Sequence, residues 1–258
     1  MHRSKLLERM SHEDGILLWR GCTYRNQLPE ELKSIERVLR RVGVAFSTLE
    51  EGCCGYPLFL SGYQREARDL AVENIDEIGS FRLIVTACPA CLRAFKEVYE
   101  EHFGLSLPPV LHLTQFLDEK VKEGVLTRDR LRPVKLKVMY HDPCELGRAM
   151  GVYEEPRRLL GLVPGLRLFE QRFTREASAC CGGGGLLPAF FPSLASMAAA
   201  RKLTQEDRVP EDLDAVVTTC PQCILNLRKG LEMWVEEEGL EDLQVLDLAQ
   251  ILDMALGG

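Results

Sequence analysis

No apolar run of about 18 residues or more occurs in this chain, so nothing has the length that a membrane-spanning helix needs. The longest uncharged stretch, Ala177 to Ala200, is interrupted by four glycines and by Pro188 and Pro192. The opening residues, MHRSKLLERMSHEDG, contain no apolar core, and no signal peptide is expected. Positive charge is in short supply: 32 Lys and Arg stand against 39 Asp and Glu, a net charge of -7, which argues against nucleic acid as a main partner. The glycine run Gly182 to Gly185 lacks the Lys-Ser/Thr of a phosphate loop. The C-x2-C-x2-C spacing of ferredoxins is missing as well. These absences lead to the expectation of a cytoplasmic protein that does not itself span a membrane, alone or on a membrane-bound complex.

Cysteine, by contrast, is abundant. Ten cysteines in a reducing compartment are poor candidates for structural disulfides, so metal binding or redox chemistry is the starting assumption. They fall into two sets of five: Cys22, Cys53-Cys54 and Cys88-x-x-Cys91, then Cys144, Cys180-Cys181 and Cys220-x-x-Cys223. The gaps are 30 and 33 residues in the first set and 35 and 38 in the second, with no cysteine left over. The duplication extends further. RLIVTACPACLRAF (Arg82 to Phe95) matches AVVTTCPQCILNL (Ala215 to Leu227), and VLHLTQFLD (Val110 to Asp118) matches VLDLAQILD (Val245 to Asp253). The chain is an internal repeat. Its boundary is placed in the charged segment from Glu123 to Lys135, giving lobes of residues 1–128 and 129–258.

Each half alternates short apolar runs with helical patterns. GILLWRGC (Gly15 to Cys22), FRLIVTA and LKVMYHDPC (Leu136 to Cys144) read as buried strands. PEELKSIERVLRRVG places Leu32, Ile35, Leu39 and Val42 on one helical face with Gly43 as its stop, and CLRAFKEVYEEHF is amphipathic at helical spacing. The fold class expected is α/β: two pseudo-symmetric lobes, each a parallel sheet flanked by helices. Cys22, Cys88, Cys144 and Cys220 would then sit directly after strands and before helices, at the carboxyl edge where such sheets place ligands. Helix N-termini at that edge favour thiolate, and the glycines beside each adjacent pair permit close backbone approach. Five thiols per lobe is an informative number. A structural zinc or an ordinary iron–sulfur cubane takes four, which would leave one spectator in each lobe. A polynuclear site with an additional or bridging thiolate uses all five.

Each quintet resembles the cysteine-rich CCG domain, whose pattern is Cys, a long gap, Cys-Cys-Gly, a long gap, then Cys-x-x-Cys. The double pattern resembles the B subunit, and the C-terminal half of the D subunit, of heterodisulfide reductases, and iron–sulfur subunits of lactate, glycolate and glycerol-3-phosphate oxidation systems. The resemblance implies two noncubane [4Fe-4S] clusters facing a cleft between the lobes, which cleave a small-molecule disulfide or form it from thiols. Carried over, Cys22, Cys53, Cys54, Cys88 and Cys91 hold one cluster, and Cys144, Cys180, Cys181, Cys220 and Cys223 the other; zinc in one lobe is the minor alternative. The implied partners are a ferredoxin-like iron–sulfur subunit and a flavoprotein. CCGYP in one half against CCGGGG in the other makes the two sites non-equivalent.

Three residues outside the quintets are weighed as well. His141, in HDPC, is a candidate proton donor on product release, against the blander reading of a buried histidine bonded to backbone. Arg25 and Arg148 are candidates for holding an anionic substrate group, although surface arginines are commoner. Competing with a heterodisulfide-reductase-like subunit are an electron relay from a hydroxy-acid-type dehydrogenase to quinone, a scaffold with a four-cysteine zinc site per lobe, and a thioredoxin-like dithiol at each C-P-x-C.

Overall fold

The computed structural model describes residues 15–50, 52–210, 212–238 and 242–258. Its centre is two parallel sheets. In the first, β1 (Ile16–Trp19) pairs with β2 (Leu83–Thr86), Ile16 opposite Leu83, and β2 pairs with β3 (Val110–His112). In the second the order is β5 (Arg167–Glu170), β4 (Lys137–Tyr140), β6 (Ala215–Thr218), β7 (Gln244–Asp247). Leu17, Leu18, Ile84 and Val85 in one sheet, and Val138, Val216 and Val217 in the other, are fully buried, as strands covered on both faces must be. The position that β5 takes beside β4 is reduced in the first lobe to one bridge. There Leu18 N–H donates to Ser47 O and Ser47 N–H to Ile16 O, both at 2.9 Å. The two sheets are therefore one plan, with one outer strand lost.

In the N-terminal lobe the helices are α1 (Cys22–Gln27), α2 (Pro29–Arg41), α3 (Tyr56–Leu60), α4 (Gln64–Ile78), α5 (Pro89–Arg93) and α6 (Leu113–Lys122). Pro29, Glu30 and Glu31 open α2 and Arg40 and Arg41 close it, the polarity that the helix dipole favours. Ile35, Val38 and Leu39 form its buried face. Beyond α5 the amphipathic pattern continues as a π-helix over Ala94–His102. The C-terminal lobe carries α7 (Glu154–Leu162), α8 (Leu187–Phe190), α9 (Pro192–Arg201), α10 (Pro221–Glu238) and α11 (Leu248–Ala255), with a π-helical turn, Lys202–Glu206, after α9. One expectation fails: no helix follows Cys144. Residues 144–150 form consecutive turns, because Pro143 O is shared by the amides of Leu146 and Gly147 and Arg148 is drawn out to Ser178 O.

The matched segments VLHLTQFLD and VLDLAQILD are each a strand, a cap and a helix. His112 caps α6 and Asp247 caps α11, each with a glutamine three residues on (Gln115, Gln250) bonding back to the cap amide. Both helices then cross to the opposite lobe. α6 packs on α7 and α11 on α2. The aspartate ending each motif is tied there by arginine: Asp118 by both Nε and Nη2 of Arg158 at 2.7 Å, Asp253 by Arg37 at 2.6 and 2.8 Å and by Arg41 at 2.7 Å. One continuous apolar cluster consequently runs through both lobes. Among the described residues no helix is long and apolar enough to cross a membrane.

Candidate metal centre

Each quintet is assembled at one edge of its sheet. Cys22 opens α1 directly after β1, and Cys144 follows β4 after a loop one residue longer. Cys88 caps α5 after β2, and Cys220 precedes α10 after β6, so two thiols emerge from each central strand pair. The adjacent pairs come in on loops that follow the outermost strand position, after Ser47 in one lobe and after β5 in the other.

The loops make the same turn in both lobes. Gly55 and Gly182 both have φ +74°, in the left-handed region, which swings their amides back onto the first thiol of each pair. Gly55 N–H lies 3.4 Å from Cys53 Sγ, and Gly182 N–H 3.4 Å from Cys180 Sγ. Arg25 and Arg148 hold these loops from outside, through Gly52 O (3.2 Å) and Ser178 O (2.6 Å). The two arginines thus bond matched loops.

The sulfurs meet in an identical order. In the N-terminal lobe hydrogen-bonding contacts run Cys22, Cys53, Cys54, Cys91, Cys88; in the C-terminal lobe they run Cys144, Cys180, Cys181, Cys223, Cys220. Cys181 Sγ and Cys223 Sγ are 3.0 Å apart, and all ten thiols are free. Donation from Cys53 and Cys91 pulls Cys54 down to about 5, and donation from Cys144 and Cys181 lowers Cys180. Their neighbours move the other way: Cys22 is raised by its bond to Cys53 and by burial, Cys144 by its bond to Cys180 and by burial. Five thiols touching in succession cannot all ionise without a cation among them, and metal binding requires thiolates. This donor set fits a polynuclear metal centre and suits a lone tetrahedral ion less well.

The two quintets face one cleft of about 1000 Å³, partly open to solvent. Nine of the ten cysteines line it; Cys180, the exposed one, does not. The rest of its wall is mainly apolar and glycine, including Tyr56, Leu60, Leu186 and Pro188, with Thr23, Glu145 and Gln222 as polar points and, among the described residues, no lysine or arginine. Gln222 Nε2 donates to Thr23 Oγ1 across the lobes at 3.0 Å, and Arg93 reaches Glu145 at 2.9 Å.

His141 is buried, but the expected backbone bond from its ring is not made. Among the described residues neither ring nitrogen has a partner, and the ring lies against Cys181 and Cys223. Behind it sits a buried polar group that no motif announces: Lys202 donates to Asp207 Oδ2 at 2.6 Å and to Gln171 Oε1 at 3.2 Å. The only hint in the sequence is a charged pair soon after the uncharged stretch, and its five-residue spacing faces inward only because the helix widens there. Glu145, beside Cys144, likewise has no pattern of its own to mark it.

The cysteine-rich CCG domain matches this chain twice, over residues 16–96 and 138–228. The B subunit of a fumarate reductase (CoM/CoB) from Methanothermobacter marburgensis is 32% identical over 236 residues, covering 91% of this chain and 45% of that protein. The D subunit of the dihydromethanophenazine:CoB–CoM heterodisulfide reductase from Methanosarcina acetivorans is 32% identical, covering 96% of this chain and 61% of its own length. An EtfAB:quinone oxidoreductase from Syntrophomonas wolfei is 29% identical, covering 95% of this chain and 35% of that protein. The chain thus spans between about a third and three-fifths of these curated relatives. With both copies of the motif matched and both quintets assembled alike, the chain belongs to the cysteine-rich CCG domain family.

Proposed function

We propose that this chain is an iron–sulfur oxidoreductase subunit of a heterodisulfide-reductase-like complex, in which each lobe holds one noncubane [4Fe-4S] cluster through its five cysteines. The observation that carries the reading is the sulfur order, the same five-membered succession in both lobes. When bound, the two clusters supply electrons singly from opposite walls of the cleft. Reduction of RS–SR′ takes two electrons and two protons and gives RSH and R′SH; the electrons come from a ferredoxin-like iron–sulfur subunit fed by a flavoprotein.

The chain's own residues provide the setting. The apolar wall of Tyr56, Leu60, Leu186 and Pro188 excludes water from a disulfide, and Gly184 and Gly185 leave room for its substituents. Arg25 and Arg148, already bonded to the cysteine loops, are assigned to loop placement, not to substrate. We place the division between the lobes at 128/129, in the connection from α6 to β4. The quinone oxidoreductase relative supports a second reading, an electron relay toward quinone. The cleft between the quintets favours disulfide chemistry, since a relay needs no such space.

Anaerobic purification with iron and sulfide counts, then EPR during titration with thiols and disulfides, tests both. Two four-iron centres whose signals change with the thiol are expected. Zinc without iron in both lobes overturns the proposal, and iron centres indifferent to every thiol and disulfide but reduced by an electron-transferring flavoprotein shift it to the relay.

A further inference from the structure

His141 stands where the backbone leaves it no choice. Its amide donates to Val217 O at 2.8 Å and its carbonyl accepts from Thr218 Oγ1 at 3.2 Å, so the residue is pinned at the end of β4. Only 1% of it is exposed. One ring nitrogen and the sulfurs of Cys181 and Cys223 all lie within 4.8 Å of one another. A buried imidazole with both nitrogens unsatisfied loses the free energy of two hydrogen bonds, and native interiors rarely tolerate that.

The residues behind the ring decide which nitrogen carries the proton. Asp207 fixes the Lys202 ammonium, and that ammonium takes the oxygen of the Gln171 amide. Gln171 Nε2 is thereby left as a donor; it is buried, has no partner among the described residues, and belongs to the amide beside His141. A neutral imidazole accepts on one nitrogen and donates from the other. An amide donor on one ring nitrogen would leave the ring's own N–H on the other. In strand register the same position of the first lobe is Trp19, packed edge-on against Phe95. Its single N–H is likewise unpartnered among the described residues, but an indole has no acceptor nitrogen through which an amide behind it could orient that N–H.

We propose that His141 donates an N–H hydrogen bond to the sulfurs of the C-terminal centre, in a tautomer set by Asp207, Lys202 and Gln171, and thereby raises that centre's reduction potential. The inference rests on the functional reading above, since it requires a cluster in the C-terminal lobe. Hydrogen bonds to cluster sulfur favour the reduced, more negative state.

The test is EPR-monitored redox titration of the anaerobically loaded chain as wild type, His141→Phe, His141→Gln and Gln171→Leu, with iron and sulfide counted in each. His141→Phe is expected to keep its iron and to lower one of two midpoint potentials, with about a tenfold loss in the one-electron equilibrium, 59 mV. His141→Gln, whose amide can still donate, is expected to recover part of the shift, and Gln171→Leu to lose part of it. Pulsed EPR should detect weak coupling to an imidazole nitrogen in the wild type that vanishes in His141→Phe. Unchanged potentials at full iron content overturn the proposal. So does loss of half the iron in both His141 variants, which would make the histidine a ligand. A wild-type chain that takes up no iron and sulfide overturns the functional reading and this inference with it.

Discussion

After its left-handed glycine the N-terminal loop continues with Tyr56, while the C-terminal loop continues with Gly183. A Cβ at Gly183 would lie 2.4 Å from the backbone oxygen of Gln222, inside the C-P-x-C turn; the Tyr56 side chain instead turns toward Glu145 (3.4 Å) and lies under Arg93. The two lobes therefore place five sulfurs alike but build their walls differently. One loop fills its side of the cleft with an aromatic ring, and the other presses bare backbone onto the second cysteine pair. The lesson is that CCG and C-P-x-C supply the sulfur geometry, and the residue after CCG shapes the wall. The four consecutive glycines divide into two pairs. Gly182 and Gly183 are crowded by α9 and α10, whereas a Cβ added at Gly184 or Gly185 would meet nothing within 4 Å, and these two leave the cleft open.

Breaking this comparison at its centre has the largest effect. Cys54→Ser and Cys181→Ser remove the matched middle sulfur of each quintet. Each is expected to halve the iron content and to abolish disulfide turnover, read by metal analysis and thiol release. If one of them leaves the iron unchanged, the lobes do not hold equivalent centres. Gly183→Ala comes next. It drives a methyl group into backbone, which should lower stability by about 3 kcal/mol in denaturant melts. The matched change Tyr56→Phe creates no such clash and gives up only the long bond to Glu145, so it should be clearly milder; equal losses would refute the asymmetry.

The smallest effect sharpens the comparison through pH. His112 and Asp247 occupy the same cap, yet burial lowers His112 to about 4 and raises Asp247 to about 6. In the unfolded chain they titrate near 6.5 and 3.8. The folded state refuses a proton at His112, so that stabilisation is complete above pH 6.5 and is lost as pH falls toward 4. At Asp247 the folded state prefers the proton, so that stabilisation is complete below 3.8 and is lost as pH rises through 6. Relative to wild type, His112→Asn should gain roughly 2–3 kcal/mol on acidification across this window, and Asp247→Asn a similar amount on going the other way. Chemical denaturation at several pH values measures both; slopes of the same sign would show that the caps are not opposed.

Much of this is legible in the residues. The inner strands β1, β2, β4 and β6 are buried on both faces and read as plain apolar runs, and the spacing of the cysteines discloses the duplication. What escapes depends on tertiary surroundings. β5 is RLFE, an edge strand with little buried, so it lacks the apolar signature. β3 has only three residues and β7, QVLD, only two apolar ones, so neither announces itself before its cap. The turns after Cys144 arise from bonds to a loop some thirty residues away, at Ser178. The environment of His141 depends on Gln171, Lys202 and Asp207, which no local pattern joins to HDPC. The crossing of α6 and α11 is likewise invisible, because an amphipathic face does not say which lobe it will meet.

That crossing has a consequence for ancestry. Each half lends its closing helix to its neighbour, as identical chains do when they exchange arms. A solitary half would leave one greasy helix bare and a matching seat empty, and a second copy of it would satisfy both. The present chain has the form of such a couple joined end to end. Joining frees the twins to specialise, since a substitution then falls on one side alone, as the contrast between Tyr56 and Gly183 records.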